Sequence, residues 1–187
     1  QIDKRNPNIV FTGYQYGSYY RINRADESKS KFIAPKAKKG DKPYRYNWQS
    51  PILLSSHNQD ILYLGSNFLH RSMNQGDTWT AISPDLTQGG KQGNVAFGTL
   101  TTISESPFEF GVLYTGSDDG LVQFSNNGGA NWKVISTTLP QNLWVSRVVA
   151  SAHKKERVYV ALNGYRNDDF TNYVYVSEDT GQTWKSI

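Results

Sequence analysis

Residues 72–79 read SMNQGDTW, and two later segments repeat the phrase: SNNGGANW at 125–132 and SEDTGQTW at 177–184. The copies begin 53 and 52 residues apart, and each has Ser first, Asn or Asp third, Gly fifth and Trp eighth. A fixed period of about 50 residues is typical of repeat architectures. A phrase used once in every unit is seldom a catalytic centre, so this one indicates a structural turn.

Short runs of strand-forming residues surround each copy. DILYLGSNFLHRS and GVLYTGSDDGLVQFS precede two of the phrases, and TAIS or KVIS follows them. No segment shows helical periodicity. We therefore predict an all-β chain of four-stranded antiparallel β-propeller blades, about three and a half of them. The predicted units are an incomplete blade at 1–46 and complete blades at 47–88, 94–138 and 142–187.

The first unit is degenerate. It lacks an opening strand, Ile22 stands where Ser is expected, and no Trp follows. An open ring exposes strand edges. The remainder of the same polypeptide is therefore the expected partner that completes the propeller.

Each position that recurs in all three copies of the phrase has a physical role in a tight turn. An Asx side chain accepts hydrogen bonds from backbone N–H groups, Gly supplies a positive φ, and Trp packs its ring between blades. The residues given these structural roles are Ser72, Asn74, Gly76, Trp79, Ser125, Asn127, Gly129, Trp132, Ser177, Asp179, Gly181 and Trp184.

The phrase resembles the Asp-box, or BNR repeat, Ser-x-Asp-x-Gly-x-Thr-Trp. Asn74 and Asn127 replace its Asp, and Asn131 replaces its Thr. Longer stretches, such as RYNWQSPILLSSHNQDILYLGSN at 45–67, are similar to the large sortilin-like Asp-box proteins of bacteria, which are often named glycosyl hydrolases. The resemblance implies that the box is a structural hairpin on the face away from the ligand.

Composition restricts the chemistry. The 187 residues contain no Cys and carry a formal charge of +4. Between Lys29 and Arg45 lie six Lys and one Arg against a single Asp, so the positive charge is local. We interpret this segment as a solvated loop, with an anionic partner as the alternative. No nucleic-acid partner, membrane span, metal or cofactor is expected.

Aromatic and basic residues near the start of each blade's first strand are the candidate ligand-binding groups. Trp48, Phe97 and Trp144 are predicted to be equivalent, and they either stack on a ligand or pack between blades. Arg45 and Arg147 lie nearby and offer fork-shaped donors to a carboxylate or phosphate.

The connection at 163–173 is longer than its counterparts, and insertions on rigid scaffolds often carry function. It contributes Arg166 as a ligand-binding candidate. In xyloglucan-cleaving Asp-box enzymes an acid from a similar loop serves in catalysis. The similar loop in this chain is the connection at 117–120, so the resemblance implies that Asp118 and Asp168 form a carboxylate pair for glycoside hydrolysis, and Asp169 is a third catalytic candidate. An ion-paired loop that merely holds its own shape is the alternative.

Two functions are consistent with these patterns. The leading hypothesis is a binding or scaffold module that recognises a peptide, protein or glycan on the face opposite the boxes. The alternative is a fragment of a glycoside hydrolase, with no catalytic motif complete in this chain. The resemblance implies an extracytoplasmic location, periplasmic or secreted, in a bacterium.

Overall fold

A computed structural model describes residues 1–91 and 96–187. It contains four antiparallel sheets, one of three strands and three of four strands, each ordered by sequence from one edge to the other. The strands are β1 (Ile9–Tyr14), β2 (Ser18–Asn23), β3 (Lys31–Phe32), β4 (Ile52–Leu54), β5 (Leu62–Gly65), β6 (Leu69–Ser72), β7 (Thr80–Ala81), β8 (Leu100–Glu105), β9 (Leu113–Ser117), β10 (Val122–Ser125), β11 (Lys133–Val134), β12 (Trp144–Ala150), β13 (Val158–Gly164), β14 (Asp169–Ser177) and β15 (Lys185–Ser186).

The sheets are propeller blades, which confirms the predicted fold class. We number them blades 1 to 4, formed by β1–β3, β4–β7, β8–β11 and β12–β15. In blade 1 the place of an opening strand is marked by a single bridge from Ile2 to Val10. The strands of each sheet fall within the unit predicted for it. The exact blade limits stay predictions, and residues 94 and 95 of the third lie outside the described residues.

Helical structure in the described part of the chain is confined to two 3₁₀ turns, Glu27–Lys29 and Tyr165–Asn167. Neither turn, nor any other described segment, forms a helix long and apolar enough to cross a lipid bilayer.

Hydrophobic cores lie between consecutive blades. Phe11, Tyr19 and Leu64 meet between blades 1 and 2, while Tyr63 and Leu113 belong to the cluster between blades 2 and 3. All residues of β5 and β9 are buried, because a neighbouring blade covers each face of these sheets. Burial of apolar area on both faces is the main force that holds the blades in order.

The repeated phrases form hairpins between the third and fourth strands of blades 2, 3 and 4; we call them the repeated hairpins. In blade 2 the Ser72 hydroxyl accepts a hydrogen bond from the Gly76 amide at 2.8 Å. The Asn74 side chain accepts one from the Thr78 amide at 2.9 Å. The same two bonds recur in the other hairpins at 2.7–3.0 Å, with Asp179 as acceptor in blade 4.

Each hairpin rests on the preceding blade. The indole N–H groups of Trp79, Trp132 and Trp184 donate to the main-chain carbonyls of Ile33, Ile82 and Ile135, respectively. Those isoleucines directly follow the last strand of the preceding blade. One contact, repeated at three junctions, therefore fixes the spacing of the blades.

The fifth-position glycine allows this close approach. Gly129 has φ +94°, and a Cβ atom there would lie 2.4 Å from the Ile82 carbonyl oxygen. Both the positive φ and the contact exclude a side chain. In blade 1 the corresponding connection has no Trp, and the Ser30 hydroxyl accepts a bond from the Asn23 amide instead.

Candidate functional site

Trp144 forms a wall shared by two cavities at the end of the blades away from the repeated hairpins; we call this the loop end. Antiparallel topology places the connections between blades and those between second and third strands at this end. Trp144 is the first residue of β12 and is partly buried. The larger cavity, about 330 Å³, lies against the first strands of blades 2, 3 and 4. The smaller one, about 180 Å³, lies between the loops of blades 3 and 4.

The larger cavity, which we call the inner-strand cavity, has a polar lining. Arg147 is exposed beside Trp144, and hydroxyl and amide side chains face them. The sequence analysis did not single out these polar residues, because isolated Asn, Gln, Ser and Thr carry no distinguishing pattern. They are Asn47, Gln49, Ser50, Thr101, Thr102 and Ser146.

The smaller cavity, which we call the loop cavity, is bounded by two cation–π pairs. The Arg166 guanidinium lies 4.2 Å from the centre of the Trp144 ring, and its Nε donates to the Tyr165 hydroxyl at 3.0 Å. The Lys91 ammonium lies 4.1 Å from the centre of the Phe97 ring. Such pairs hold a cation in place without neutralising it, so both charges remain available to an anionic group.

Asp118 lines the loop cavity but is 4% exposed. Its carboxylate accepts hydrogen bonds from the Gly98 and Thr99 amides, both at 2.9 Å, and from the Thr99 hydroxyl at 2.6 Å. Asn47, from the connection into blade 2, adds a longer bond of 3.4 Å. Burial raises the pKa of Asp118, although the bonds from Thr99 act in the opposite direction. Asp118 therefore fastens the start of the first strand of blade 3.

Asp168 and Asp169 do not line the loop cavity with Asp118. Asp168 ends the 3₁₀ turn in a left-handed conformation, with φ 55°, and is exposed. Asp169 accepts bonds from the Thr171 amide and the Tyr173 hydroxyl, and the amide bond is the main cause of its lowered pKa. The structure thus brings Arg166, rather than Asp168 or Asp169, to the cavity of Asp118.

Arg45 is engaged in internal bonds. Its Nε donates to the Gly98 carbonyl at 3.0 Å, and an Nη donates to Asp85 at 2.6 Å and to Thr87 at 3.0 Å. These contacts tie the connection between blades 1 and 2 to the connection between blades 2 and 3. Trp48 lies apart from Trp144: it is 59% exposed, and its ring packs edge-on against Tyr16 at 5.5 Å.

The predicted equivalence of Phe97 with Trp144 is wrong in register. Val145 pairs with Leu162 and Leu100 pairs with Ser117 at corresponding points of the sheets, so Trp144 matches Thr99. Phe97 lies two residues earlier, in the connection before β8. Both strands carry a bulge at the same point of the sheet, so the bulges do not change this offset.

The basic segment from Lys29 to Arg45 is anchored at both ends and exposed in its middle. Lys29 and Lys31 form ion pairs with Asp26 and Asp77. The lysines in the middle of the segment, which are also exposed, are Lys36, Lys38, Lys39 and Lys42. Across residues 1–91 and 96–187, no three His, Cys, Asp or Glu side chains are grouped as metal ligands would be.

The fold and the loop-end geometry define a class: a β-propeller with polar cavities around a Trp–Arg stack. No family model matches the chain, and no curated protein matches it. Solved structures do resemble it. A GH74 enzyme from Niastella koreensis superposes with a TM-score of 0.66 at 19% identity, covering 100% of this chain and 29% of that one.

Two further GH74 structures also superpose on this chain. The GH74 xyloglucanase from Xanthomonas campestris has a TM-score of 0.67 at 15% identity, covering 100% of this chain and 30% of its own. An ancestral GH74 enzyme has a TM-score of 0.57 at 16% identity, covering 78% of this chain and 19% of its own. At these identities the likeness shows the propeller fold alone, and this chain spans less than a third of each neighbour.

Proposed function

We propose that this chain is part of a larger β-propeller and acts as a binding module whose loop end recognises a polar ligand, either a glycan or a peptide segment of a protein. The observation that carries the proposal is the position of Trp144 between two cavities, with Arg147 on one side and Arg166 stacked on the other. Concave sites with an aromatic wall and a few polar groups are the usual form of ligand pockets.

The chemistry of the two cavities favours binding over turnover. Hydroxyl and amide groups line the inner-strand cavity and can bond to sugar hydroxyls or to a peptide backbone. The loop cavity adds the cations of Arg166 and Lys91, which suit a carboxylate on the same ligand.

Trp144→Ala tests the proposal in the full-length polypeptide, with xyloglucan oligosaccharides and a library of soluble peptides as probes. Trp48→Ala is the matched control, since Trp48 is a more exposed tryptophan outside both cavities. Calorimetric titration should show loss of binding for Trp144→Ala and Arg147→Ala, and unchanged binding for Trp48→Ala. Equal binding by all four proteins would refute the site.

Membership of the Asp-box class, with a resemblance to sortilin-like proteins, is part of the same proposal. The hydrogen bonds that Ser72 and Asn74 accept from backbone amides, repeated in the two later hairpins, support it. We also propose that further blades of the same polypeptide close the ring and that the protein is extracytoplasmic. Proteolysis of intact cells, which would spare an intracellular propeller, tests the location.

A glycoside hydrolase is the second candidate. Asp118 lines the loop cavity, and burial shifts its pKa upward, which is the direction that a general acid requires. Release of reducing sugar from polysaccharides by the full-length protein would support this alternative if Asp118→Asn or Asp168→Asn abolished it while the variants melted normally. Absence of release from every polysaccharide would leave the binding module as the better account.

A further inference from the structure

Arg21 and Arg71 occupy the same position in blades 1 and 2. Each lies on the last strand but one of its blade, where Arg21 in β2 pairs with Lys31 in β3 and Arg71 in β6 pairs with Thr80 in β7. Both side chains reach toward the repeated hairpin of the following blade. The repeat therefore provides an internal comparison of two nearly identical junctions.

At the first junction Arg21 holds a carboxylate. Its guanidinium lies 2.8 Å from the Asp77 carboxylate and donates to the Gln75 carbonyl at 3.2 Å. Lys31 pairs with the same carboxylate. Asp77 is the sixth residue of the hairpin in blade 2.

At the second junction the carboxylate is missing. Ala130 stands at the sixth position of the hairpin in blade 3, where Asp77 stands in blade 2. Arg71 donates to the Gly128 carbonyl at 3.3 Å, and among the described residues no carboxylate lies within 4.0 Å of its guanidinium. Across the sheet Arg71 faces Tyr63, whose hydroxyl donates to buried Glu105.

Arg71 lines a cleft of about 740 Å³ at the hairpin end. Ile82 and Pro84 from blade 2 form one wall, and Gly128 and Gly129 form the other. Phe110, 46% exposed, closes the side. The cleft thus combines a cation lacking a carboxylate partner with apolar surface.

We propose that this cleft binds an acidic side chain of a partner polypeptide, with the carboxylate on Arg71 and an adjacent apolar residue against Ile82 and Phe110. The first junction supports the choice of ligand, because there a polypeptide carboxylate, Asp77, sits on the equivalent arginine. A fork-shaped guanidinium is well suited to a carboxylate. This site lies at the end of the blades opposite the cavities around Trp144 and is independent of the proposed function.

The test titrates the protein with the blocked dipeptide acetyl-Ile-Asp-amide and follows the amide resonances of Gly128 and Gly129 by NMR. Acetyl-Ile-Asn-amide, which has the same shape without the charge, should bind about tenfold more weakly. Acetate alone is the third probe. Acetate that bound as tightly as the dipeptide would overturn the choice of a polypeptide ligand.

Ala130→Asp supplies the site with its own carboxylate and should abolish dipeptide binding by occupying Arg71. Ala130→Asn is the matched control and should bind the dipeptide as the parent does. Arg71→Gln should weaken binding about tenfold. Binding that survives in Ala130→Asp, or that is lost equally in Ala130→Asn, would overturn the proposal even if Arg71→Gln failed to fold.

Discussion

The indole N–H of Trp132 in blade 3 donates to the carbonyl of Ile82 in blade 2 at 3.1 Å, and it also lies 3.0 Å from the Gly129 carbonyl of its own hairpin. The ring packs into the cluster that contains Tyr63 and Leu113. A single side chain thus satisfies polar groups on both sides of a junction and fills its apolar space.

Trp132→Ala should lower the free energy of unfolding by on the order of 3–5 kcal/mol, since a large core ring is lost together with its hydrogen bond. Trp132→Phe, which keeps a ring, should lower it much less. Trp144→Ala is the comparison, because Trp144 lines two cavities and should cost little. Urea denaturation measures all three. Equal large losses at both positions would remove Trp144 from the binding site.

Arg45→Ala should lower the free energy of unfolding by about 1–3 kcal/mol, because it leaves Asp85 and the Gly98 carbonyl without a charged donor. Lys42→Ala, at an exposed lysine three residues earlier, is the control and should change nothing measurable. Thermal unfolding distinguishes the two. A stable Arg45→Ala protein with impaired ligand binding would instead restore Arg45 to the ligand site.

His70 should make stability depend on pH between about 6.5 and 4. The side chain is 1% exposed, its Nε2 lies 2.8 Å from the Ser66 hydroxyl, and burial lowers its pKa to about 4. The unfolded chain therefore binds a proton as pH falls through 6.5, while the folded chain does not. Stability should fall by about 2 kcal/mol from pH 7 to pH 5.

His70→Gln should flatten this pH dependence, since Gln retains a polar group near Ser66 but does not titrate. His153→Gln is the control at an exposed histidine and should leave the dependence in place. Urea denaturation at a series of pH values measures both. A parent protein with the same stability at pH 7 and pH 5 would contradict the assignment.

Protonation of Asp179 should weaken the hairpin of blade 4, and this should happen only in strong acid. The Thr183 hydroxyl and amide hold its pKa at about 2, below the ordinary 3.8. Its contribution is therefore full above about pH 4 and is lost as pH falls toward 2. Amide exchange at Thr183 should accelerate in that range, whereas exchange at Thr78 should not, because Asn74 cannot titrate. Asp179→Asn should remove the difference.

The repeats made the fold predictable from one sequence. Ser72, Gly76 and Trp79 recur twice with the same spacing, so each copy checks the assignment of the others. The residues of the loop end do not belong to a repeated phrase, so no second copy checks a prediction made for them. The stack of Arg166 on Trp144 depends on how one long connection folds over β12, which local patterns do not determine.

Arg45 illustrates the same difficulty. Its partners Asp85 and Gly98 lie 40 and 53 residues away, in another connection. Composition identified an arginine suited to carboxylate binding, but only the three-dimensional arrangement shows that a carboxylate of the same chain already occupies it. The position of Phe97 likewise has no simple sequence signal, because it depends on where the pairing of β8 with β9 begins.

The direction of the tryptophan contacts has a consequence for synthesis. Each of these tryptophans bonds to the blade that precedes it in the sequence. The acceptors for Trp79, Trp132 and Trp184 are the carbonyls of Ile33, Ile82 and Ile135, respectively. Domains emerge from the ribosome N-terminal part first. A nascent blade therefore finds its acceptor carbonyl on an older blade that is already translated, and the molecule can grow by successive addition instead of waiting for its last residue.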